Sequence, residues 1–437
     1  MGKVIKASVA SFIIAALTIT ALYMFIHRME FDVFGIKISI DTLSLPFIIN
    51  AGLIGIACLV ASTRYIELYE LKGVRIPYYS LVGLFVVTMM LIPMVRNWIV
   101  FIFLWEVMTL ISYFLITYDY KDEEILKVGR NYFITMHVFS TTPLLLLFML
   151  IRHATNTYSF DHIQHELFEF ILILALIGFG TKAGLFPFHF WLPQAHPAAP
   201  SPVSALLSGS MVKLGIYGIA RVLSLSVISI PEWFVWTTVT LSVLSIMLAF
   251  LMYPIQKDVK RLFAWSTIDN IGWMTFIVVS YMIGLEEAEI LLGLYVLSHG
   301  VAKASVFILS GGLIYSYGTK KLEEIKGLVH TNKSLVYLLI LAIFALEGVP
   351  PFSLFLSKHD VVLKTLAYNF WLGLFLLISW CLVFIIFLTI IHDYFLAEGA
   401  PKPIRPLPKS IFYSTLFLVI LSIISYPLLL VILGGIL

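Results

Sequence analysis

The sequence predicts an all-α integral membrane protein. Of its 437 residues, 60% are apolar and only 12% are charged, whereas a soluble domain is about half apolar and about a quarter charged. The mean hydropathy is +1.00, and apolar runs of about 20 residues recur along the chain. One soluble core cannot absorb that much apolar surface, so soluble enzymes and nucleic-acid binders are excluded as the main interpretation. The net charge of +3 does not argue for a nucleic-acid partner either.

The apolar runs predict about thirteen membrane spans when they are measured against the length that a membrane helix needs. The spans are residues 5–26, 43–63, 78–95, 98–118, 131–151, 168–190, 203–225, 234–254, 262–283, 289–317, 335–357, 370–392 and 411–436. The linkers between them are too short to hold a soluble domain. The first run is longer than the apolar region of a signal peptide and has no clear cleavage site, so we expect it to remain as a span.

The distribution of Lys and Arg predicts the orientation of the spans. With the lysines inside spans set aside, one side carries about three times as many Lys and Arg residues as the other. This bias predicts a cytoplasmic N-terminus and an external C-terminus. The expected location is the plasma membrane of a prokaryote.

Helix breakers interrupt two of the predicted spans. Pro187 lies in the sixth span, and Pro350 with Pro351 lies in the eleventh. The two spans are five apart and therefore run in opposite directions, a pattern typical of transporters with inverted repeats. We predict N-terminal transmembrane helices at 1–77, a first inverted repeat at 78–225, a second at 234–392 and a C-terminal transmembrane helix at 411–437. The alternative is that each proline merely kinks a packed helix.

Ionisable residues inside the spans are the candidate functional residues, because a charge at mid-membrane costs about 2.5 to 3.5 kcal/mol on insertion scales. The set is Glu106, Lys182, Lys213, His299, Lys303 and Lys358, with Asp269 and Glu347 as possible additional members. A desolvated lysine can take up and release a proton as a carboxylate approaches or leaves, and histidine titrates near neutral pH. The set therefore predicts a proton relay. The alternative is static salt bridges, of Glu106 with Lys182 and of Asp269 or Glu347 with Lys303.

The sequence predicts no catalytic, metal or cofactor site of the chain's own. Cys58 and Cys381 are isolated, and no HxxxH or HExxH pattern is present. His189 and His196 fall in a proline-rich segment that we interpret as cytoplasmic, where His189 is structural or takes up protons.

The residues around both breaks resemble a known family. The run Gly180-Thr-Lys-Ala-Gly-Leu-Phe-Pro-Phe-His-Phe-Trp-Leu-Pro-Gln-Ala-His-Pro, continued to Gly209, is similar to the signature of antiporter-like subunits. Respiratory complex I, Mrp-type sodium/proton antiporters and membrane-bound hydrogenases share these subunits. The similarity extends through residues 211–221, 258–267, 298–304 and 350–358, and covers about residues 95–360.

The resemblance implies roles for the matching residues. Glu106 would modulate Lys182, Lys213 would be the central relay lysine, His299 and Lys303 would connect the second half, and Lys358 would be its distal lysine. Family members usually have fourteen core spans, so we expect one N-terminal span fewer here. Asp269 and Glu347 stand where most members have neutral residues, which leaves the ion and the direction of the second half open.

The expected function is ion translocation, of protons, sodium ions or one against the other, within a multisubunit membrane complex. The expected partners are further antiporter-like and small membrane subunits and a redox module, since the chain has no redox or hydrolytic site of its own. A stand-alone secondary transporter and a structural subunit that moves no ions are the alternatives.

Overall fold

The computed structural model describes residues 2–74, 76–285 and 287–434, and most of them are helical. The helices are α1 Gly2–Ile26, α2 Leu45–Tyr65, α3 Glu67–Glu70, α4 Tyr78–Leu91, α5 Trp98–Ile116, α6 Glu123–Met136, α7 Thr142–Thr155, α8 Phe168–Ala183, α9 Leu192–Ala198, α10 Ser201–Leu206, α11 Val212–Ser224, α12 Glu232–Met252, α13 Val259–Met282, α14 Ala288–Tyr317, α15 Lys333–Glu347, α16 Ser353–Tyr368, α17 Phe370–Ile390 and α18 Lys409–Gly434. Between α1 and α2, strands β1 (Phe31–Val33) and β2 (Ile36–Ile38) form an antiparallel hairpin, in which Phe31 pairs with Ile38.

Shorter turns complete the helical part of the chain. They include 3₁₀ turns at Phe188–Trp191, Tyr253–Ile255, Leu322–Ile325 and Leu328–His330. Three π-helical turns lie at His137–Thr141, Leu207–Met211 and Ile391–Leu396. The first joins α6 to α7 and the second joins α10 to α11, so each is an interruption within a longer helix.

The predicted all-α membrane class is confirmed, whereas the number of thirteen spans is not. The described residues contain 11 helices long and apolar enough to cross a membrane, or up to 12 if the bent pair Leu322–His330 and Lys333–Glu347 counts as one. The predicted third span falls on α4, which has only 14 residues. The predicted eleventh span is divided between α15 and α16.

Side-chain caps fix where several helices begin. Asn97, Asp122, Asp258 and Asn369 each precede a helix and accept hydrogen bonds from two backbone N–H groups of its first turn. These N–H groups have no partner within the helix, so the caps satisfy them. They set the starts of α5, α6, α13 and α17.

Helix breaks occur at both predicted positions. The first follows α8 at Gly184, whose φ is +79°, and the second follows α15 at Gly348, whose φ is +71°. Carbonyl groups near both breaks receive an indole N–H, from Trp191 to Thr181 O at 3.0 Å and from Trp380 to Glu347 O at 2.6 Å. Broken helices are tolerated at membrane depth where such protein groups satisfy the freed backbone.

The helices divide into an inner and an outer set. The spans formed by α10 with α11, by α13 and by α14 are buried almost completely, whereas α1, α17 and α18 keep most of their surface open. The inner helices carry four of the eight candidate ionisable residues, namely Lys213, Asp269, His299 and Lys303. Lipid or neighbouring chains would face the outer ones.

Candidate ion-translocation site

Lys182 is fully buried at the end of α8. Its Nζ donates hydrogen bonds to Thr109 Oγ1 at 2.7 Å and to Tyr132 OH at 3.3 Å. It also lies 5.7 Å from the ring centroid of Trp105. All these partners are electrically neutral, so Lys182 can lose a proton without leaving an opposite charge unpaired.

Glu106 lies against the π-helical turn at His137–Thr141 rather than against Lys182. Its Oε1 accepts a hydrogen bond from Thr141 Oγ1 at 2.6 Å, and its Oε2 is 3.2 Å from His137 Nε2. Glu106 and Lys182 do not form an ion pair, although the Glu106 charge acts on Lys182 electrostatically. The structure therefore does not support a static Glu106–Lys182 salt bridge.

Lys213 lies in α11, near the middle of the sequence, and is fully buried. Its Nζ donates to the carbonyl oxygens of Ser208 at 3.1 Å and Gly209 at 2.7 Å. Both carbonyls belong to the π-helical turn Leu207–Met211. Such a turn disrupts the regular hydrogen bonds of an α-helix and leaves carbonyls available to a side chain.

Two contacts join the neighbourhood of Lys213 to other helices. Ser208 Oγ and Thr267 Oγ1 are 2.7 Å apart, which links the π-helical turn to α13. Asn50 of α2 donates to Gly209 O at 2.7 Å. A Cβ at Gly300 would lie 1.9 Å from Asn50 Oδ1, so only glycine lets α14 approach this closely.

His299 and Lys303 lie one turn apart on α14, and both are fully buried. Lys303 Nζ donates to Phe263 O at 2.7 Å and to Ser266 Oγ at 2.5 Å. Within the described part of the chain, neither ring nitrogen of His299 has a hydrogen-bond partner. His299 is within electrostatic reach of Lys213, Lys303 and Lys358, which places it among the lysines of both halves.

Asp269, Glu347 and Lys358 surround the second helix break, and each is 1% exposed. Asp269 Oδ2 accepts a hydrogen bond from Tyr253 OH at 3.2 Å, whereas neither carboxylate oxygen of Glu347 has a hydrogen-bond partner among the residues described. Lys358 Nζ lies 5.2 Å from the ring centroid of Trp273. The proposed ion pairs of Asp269 or Glu347 with Lys303 are not formed, although both carboxylates act on Lys303 electrostatically.

The structure adds buried ionisable residues that the sequence interpretation missed. Lys260, at the start of α13, is buried, and its ammonium group is hydrogen-bonded to the carbonyl of Ala199. His196 lies inside α9 rather than in a surface segment, is fully buried and is within electrostatic reach of Lys260 and Lys303. Their burial was not predictable from residue type, because both residues lie outside the predicted spans.

A carboxylate outside the spans is held by two arginines. Asp41, just before α2, is 2.8 Å from Arg221 and 3.2 Å from Arg96. Partial burial opposes ionisation of Asp41, but the two guanidinium groups outweigh it and hold the pKa of this carboxyl well below its usual range. The cluster ties the segment before α2 to α11.

The comparisons with known proteins identify the family. The family model described as NADH:quinone oxidoreductase/Mrp antiporter, TM, matches residues 95–385, which is more than half of the chain. The chain belongs to this family. The matched range contains every candidate residue in both halves, and the resemblance read from the sequence is confirmed.

Curated relatives agree with this assignment to the antiporter family. The chain is 31% identical over 343 residues to hydrogenase-4 component B of Escherichia coli (strain K12), covering 75% of this chain and 51% of that protein. It is 28% identical over 356 residues to Na(+)/H(+) antiporter subunit A1 of Staphylococcus aureus (strain JH9), covering 77% of this chain and 43% of that protein. This chain thus spans about half the length of these relatives.

Solved structures share the fold of this antiporter-family chain. A chain of the membrane-bound sulfane sulfur reductase, an archaeal respiratory membrane complex, superposes with a TM-score of 0.84 at 20% identity, covering 98% of this chain and 91% of that chain. A chain of respiratory complex I from Thermus thermophilus gives a TM-score of 0.77 at 22% identity, covering 98% and 93%. A chain of the Mrp complex from Dietzia sp. DQ12-45-1b gives 0.82 at 18% identity, covering 99% and 90%.

Proposed function

We propose that this antiporter-like subunit translocates ions through Lys182, Lys213, His299, Lys303 and Lys358, with Glu106, Asp269 and Glu347 controlling their charge. The observation that carries the proposal is the bonding of the lysines. Lys182, Lys213, Lys303 and Lys358 are buried, yet none of them forms an ion pair with another residue that the structure describes. Their hydrogen bonds go to hydroxyl and carbonyl oxygens instead.

This bonding pattern favours transport over a structural role. A lysine buried for stability is expected to pair directly with a carboxylate, because an uncompensated buried charge is costly. A lysine bonded to neutral acceptors keeps its place whether or not it carries the proton. The nearby carboxylates then favour the ammonium form without fixing it, so the proton can be taken up and released in turn.

The residues suggest an order of transfer along the chain. Lys182 and Tyr132 belong to the first half, and Lys213 stands at the centre beside the Ser208–Thr267 hydroxyl pair. The neutral imidazole of His299 can accept a proton on one nitrogen and release one from the other, between Lys213 and Lys303. Lys358 then receives the proton beside the helix break that follows α15.

Under this proposal, residues 78–225 and 234–392 are the two half-channels, related as inverted repeats. The N-terminus is cytoplasmic and the C-terminus external, in the plasma membrane of a prokaryote. The chain works beside further membrane subunits, with a redox module in other subunits driving it. The support is the presence of hydrogenase-4, a sulfane sulfur reductase and complex I among the similar proteins.

The similarity to a subunit of a Na(+)/H(+) antiporter supports a second candidate function. In this mode of transport, sodium exchanges for protons without a redox partner. The unpartnered carboxylate of Glu347 favours this mode, because carboxylate oxygens are ligands for hard cations. The test therefore has to follow both ions.

The experiment uses inverted membrane vesicles that contain the whole complex. Proton and sodium uptake are recorded for wild type, Lys182→Met and Glu106→Gln, driven in turn by a redox substrate and by an imposed ion gradient. Lys402→Met, an exposed loop substitution, is the control. We expect uptake to collapse in both variants and to persist in the control, and the ion whose uptake disappears identifies the transported species. Normal uptake by assembled Lys182→Met complex would overturn the proposal.

A further inference from the structure

His137 is the direct partner of Glu106 and has no role in the relay described above. Its Nδ1 lies 2.9 Å from Phe133 O, and its Nε2 lies 3.2 Å from Glu106 Oε2. A carbonyl oxygen can only accept a hydrogen bond, so Nδ1 carries a hydrogen. The tautomer of His137 follows from this contact.

The contact between His137 Nε2 and Glu106 Oε2 requires a shared proton. With Nδ1 protonated, the Nε2 of neutral imidazole presents a lone pair to Glu106 Oε2, and a carboxylate also presents only lone pairs. Two acceptors at 3.2 Å repel each other unless one proton lies between them. The pair therefore holds one proton, as imidazolium with carboxylate or as neutral imidazole with carboxylic acid.

The π-helical turn His137–Thr141 positions the two side chains that contact Glu106. Its first residue, His137, contacts one carboxylate oxygen, and its last residue, Thr141, donates to the other. The carbonyl of Phe139 in the same turn accepts a hydrogen bond from Thr181 Oγ1 at 2.9 Å. Thr181 directly precedes Lys182, so the turn connects the pair to the broken helix.

The side chains of His137 and Glu106 are more exposed than the side chain of Lys182. The side chains of His137 and Glu106 are 37% and 32% exposed, whereas Lys182 is 0% exposed. The pair opens to the outside of the bundle, and Lys182 can be reached only through protein. A titratable group of a neighbouring chain that packs on this face would therefore exchange a proton with the pair before it reached Lys182.

We propose that His137 is a further proton-carrying residue of this chain, which shares a proton with Glu106 and so sets when the Glu106 charge acts on Lys182. This inference rests on the proposed function. While the pair holds its proton, the negative charge of Glu106 is cancelled. When the proton passes from Nε2 to a titratable side chain of a neighbouring membrane subunit on this face, Glu106 is left ionised and favours the ammonium form of Lys182. A proton on the pair and a proton on Lys182 thus tend to exclude each other.

No further ionisable group contacts His137 among the residues that the structure describes. Glu106 of α5 faces it directly, and Lys182 of α8 acts on Glu106. Phe133 of its own helix α6 supplies a ring contact and the carbonyl. The protonation of His137 is therefore tied to that of Glu106.

The test compares His137→Gln with His392→Gln in vesicles that contain the whole complex. The Gln amide can donate a hydrogen bond to Glu106 but cannot carry a proton. His392 is a matched control, because it lies 2.8 Å from Asp393 on the exposed surface and outside the relay. We expect His137→Gln to lose at least about tenfold in ion uptake with the complex assembled, since general acid–base groups contribute about 10² or more. His392→Gln should transport like wild type.

Infrared difference spectra of the wild-type complex supply a readout that needs no His137 variant. When the pH of the sample is changed, imidazole and carboxyl bands should change together. Glu106→Gln should remove that paired change. If His137 only positions Glu106, the Gln variant keeps its uptake and the spectra contain no paired change.

The outcomes separate this inference from the proposed function. Loss of uptake in both Lys182→Met and His137→Gln supports both. Loss in Lys182→Met with wild-type uptake in His137→Gln overturns the role of His137 alone. Wild-type uptake in Lys182→Met overturns the proposed function and the role of His137 with it. If His137→Gln does not assemble, the wild-type spectra decide, and the absence of the paired change refutes the inference.

Discussion

The hydroxyl of Thr109 should control how readily Lys182 holds its proton. It is the nearer of the two acceptors of the Lys182 ammonium group, at 2.7 Å against 3.3 Å for Tyr132 OH. Thr109→Val removes this acceptor and keeps the shape of the side chain. A hydrogen bond to a charged group is worth about 1.5 to 3 kcal/mol, and 1.36 kcal/mol corresponds to a factor of ten. We therefore expect the ratio of protonated to neutral Lys182 at a given pH to fall by about tenfold to 100-fold.

Ion uptake by vesicles that contain the assembled complex is the assay. Thr109→Val should slow uptake by about tenfold or more, whereas Thr109→Ser keeps the hydroxyl and should retain most of it. Thr238→Val is the matched control, because Thr238 is also fully buried and also donates to the carbonyl four residues earlier, at 2.8 Å. Equal uptake by Thr109→Val and Thr238→Val would refute the reasoning.

Three further substitutions test packing, acid stability and charge. Gly300→Ala should destabilise the protein by about 1 to 3 kcal/mol, because its Cβ would overlap Asn50, and should lower the melting temperature of the purified complex. Asp41→Asn should lower the melting temperature at neutral pH, because it removes the negative charge that faces Arg221 and Arg96. Since the pKa of Asp41 is depressed, this loss should stay constant down to about pH 4 and shrink only in stronger acid. Glu347→Gln should slow ion uptake by about tenfold or more without loss of assembly, because it removes a buried charge near Lys303.

Each of these three substitutions has a control or a result that would contradict the prediction. Gly83→Ala meets its nearest neighbour only at 3.7 Å, so equal melting temperatures for the two alanine variants would contradict the close approach of α14. An Asp41→Asn difference that grows in acid would contradict the depressed pKa. Asp393→Asn changes an exposed carboxylate, and uptake by Glu347→Gln equal to it would remove Glu347 from the site.

The features that follow directly from residue type were predictable from the sequence. Long apolar runs gave the membrane class, and Pro187 with Pro350 marked the helix breaks. Buried lysines such as Lys182 stood out because a charge interrupts an apolar run. The number of spans was harder to predict, because α4 is short and the apolar run at residues 335–357 folds as two helices.

The contacts around the candidate residues could not be predicted, because they depend on the π-helical turns. No residue type signals such a turn, yet one of them brings His137 to Glu106 and another turns the carbonyl of Gly209 toward Lys213. The sequence suggested Lys182 as the nearest partner of Glu106. The burial of Lys260 was not predictable either, because this residue precedes the predicted span at 262–283, whereas α13 begins at Val259.

The central claim is that one relay runs through both halves of the chain, and Lys213 is where the halves meet. The most direct test is simultaneous proton and sodium uptake by vesicles that carry Lys213→Met in the whole complex, with Lys402→Met as control. We expect uptake to fall to background in Lys213→Met while the complex stays assembled and the control transports normally. Wild-type uptake of both ions by Lys213→Met would contradict a continuous relay.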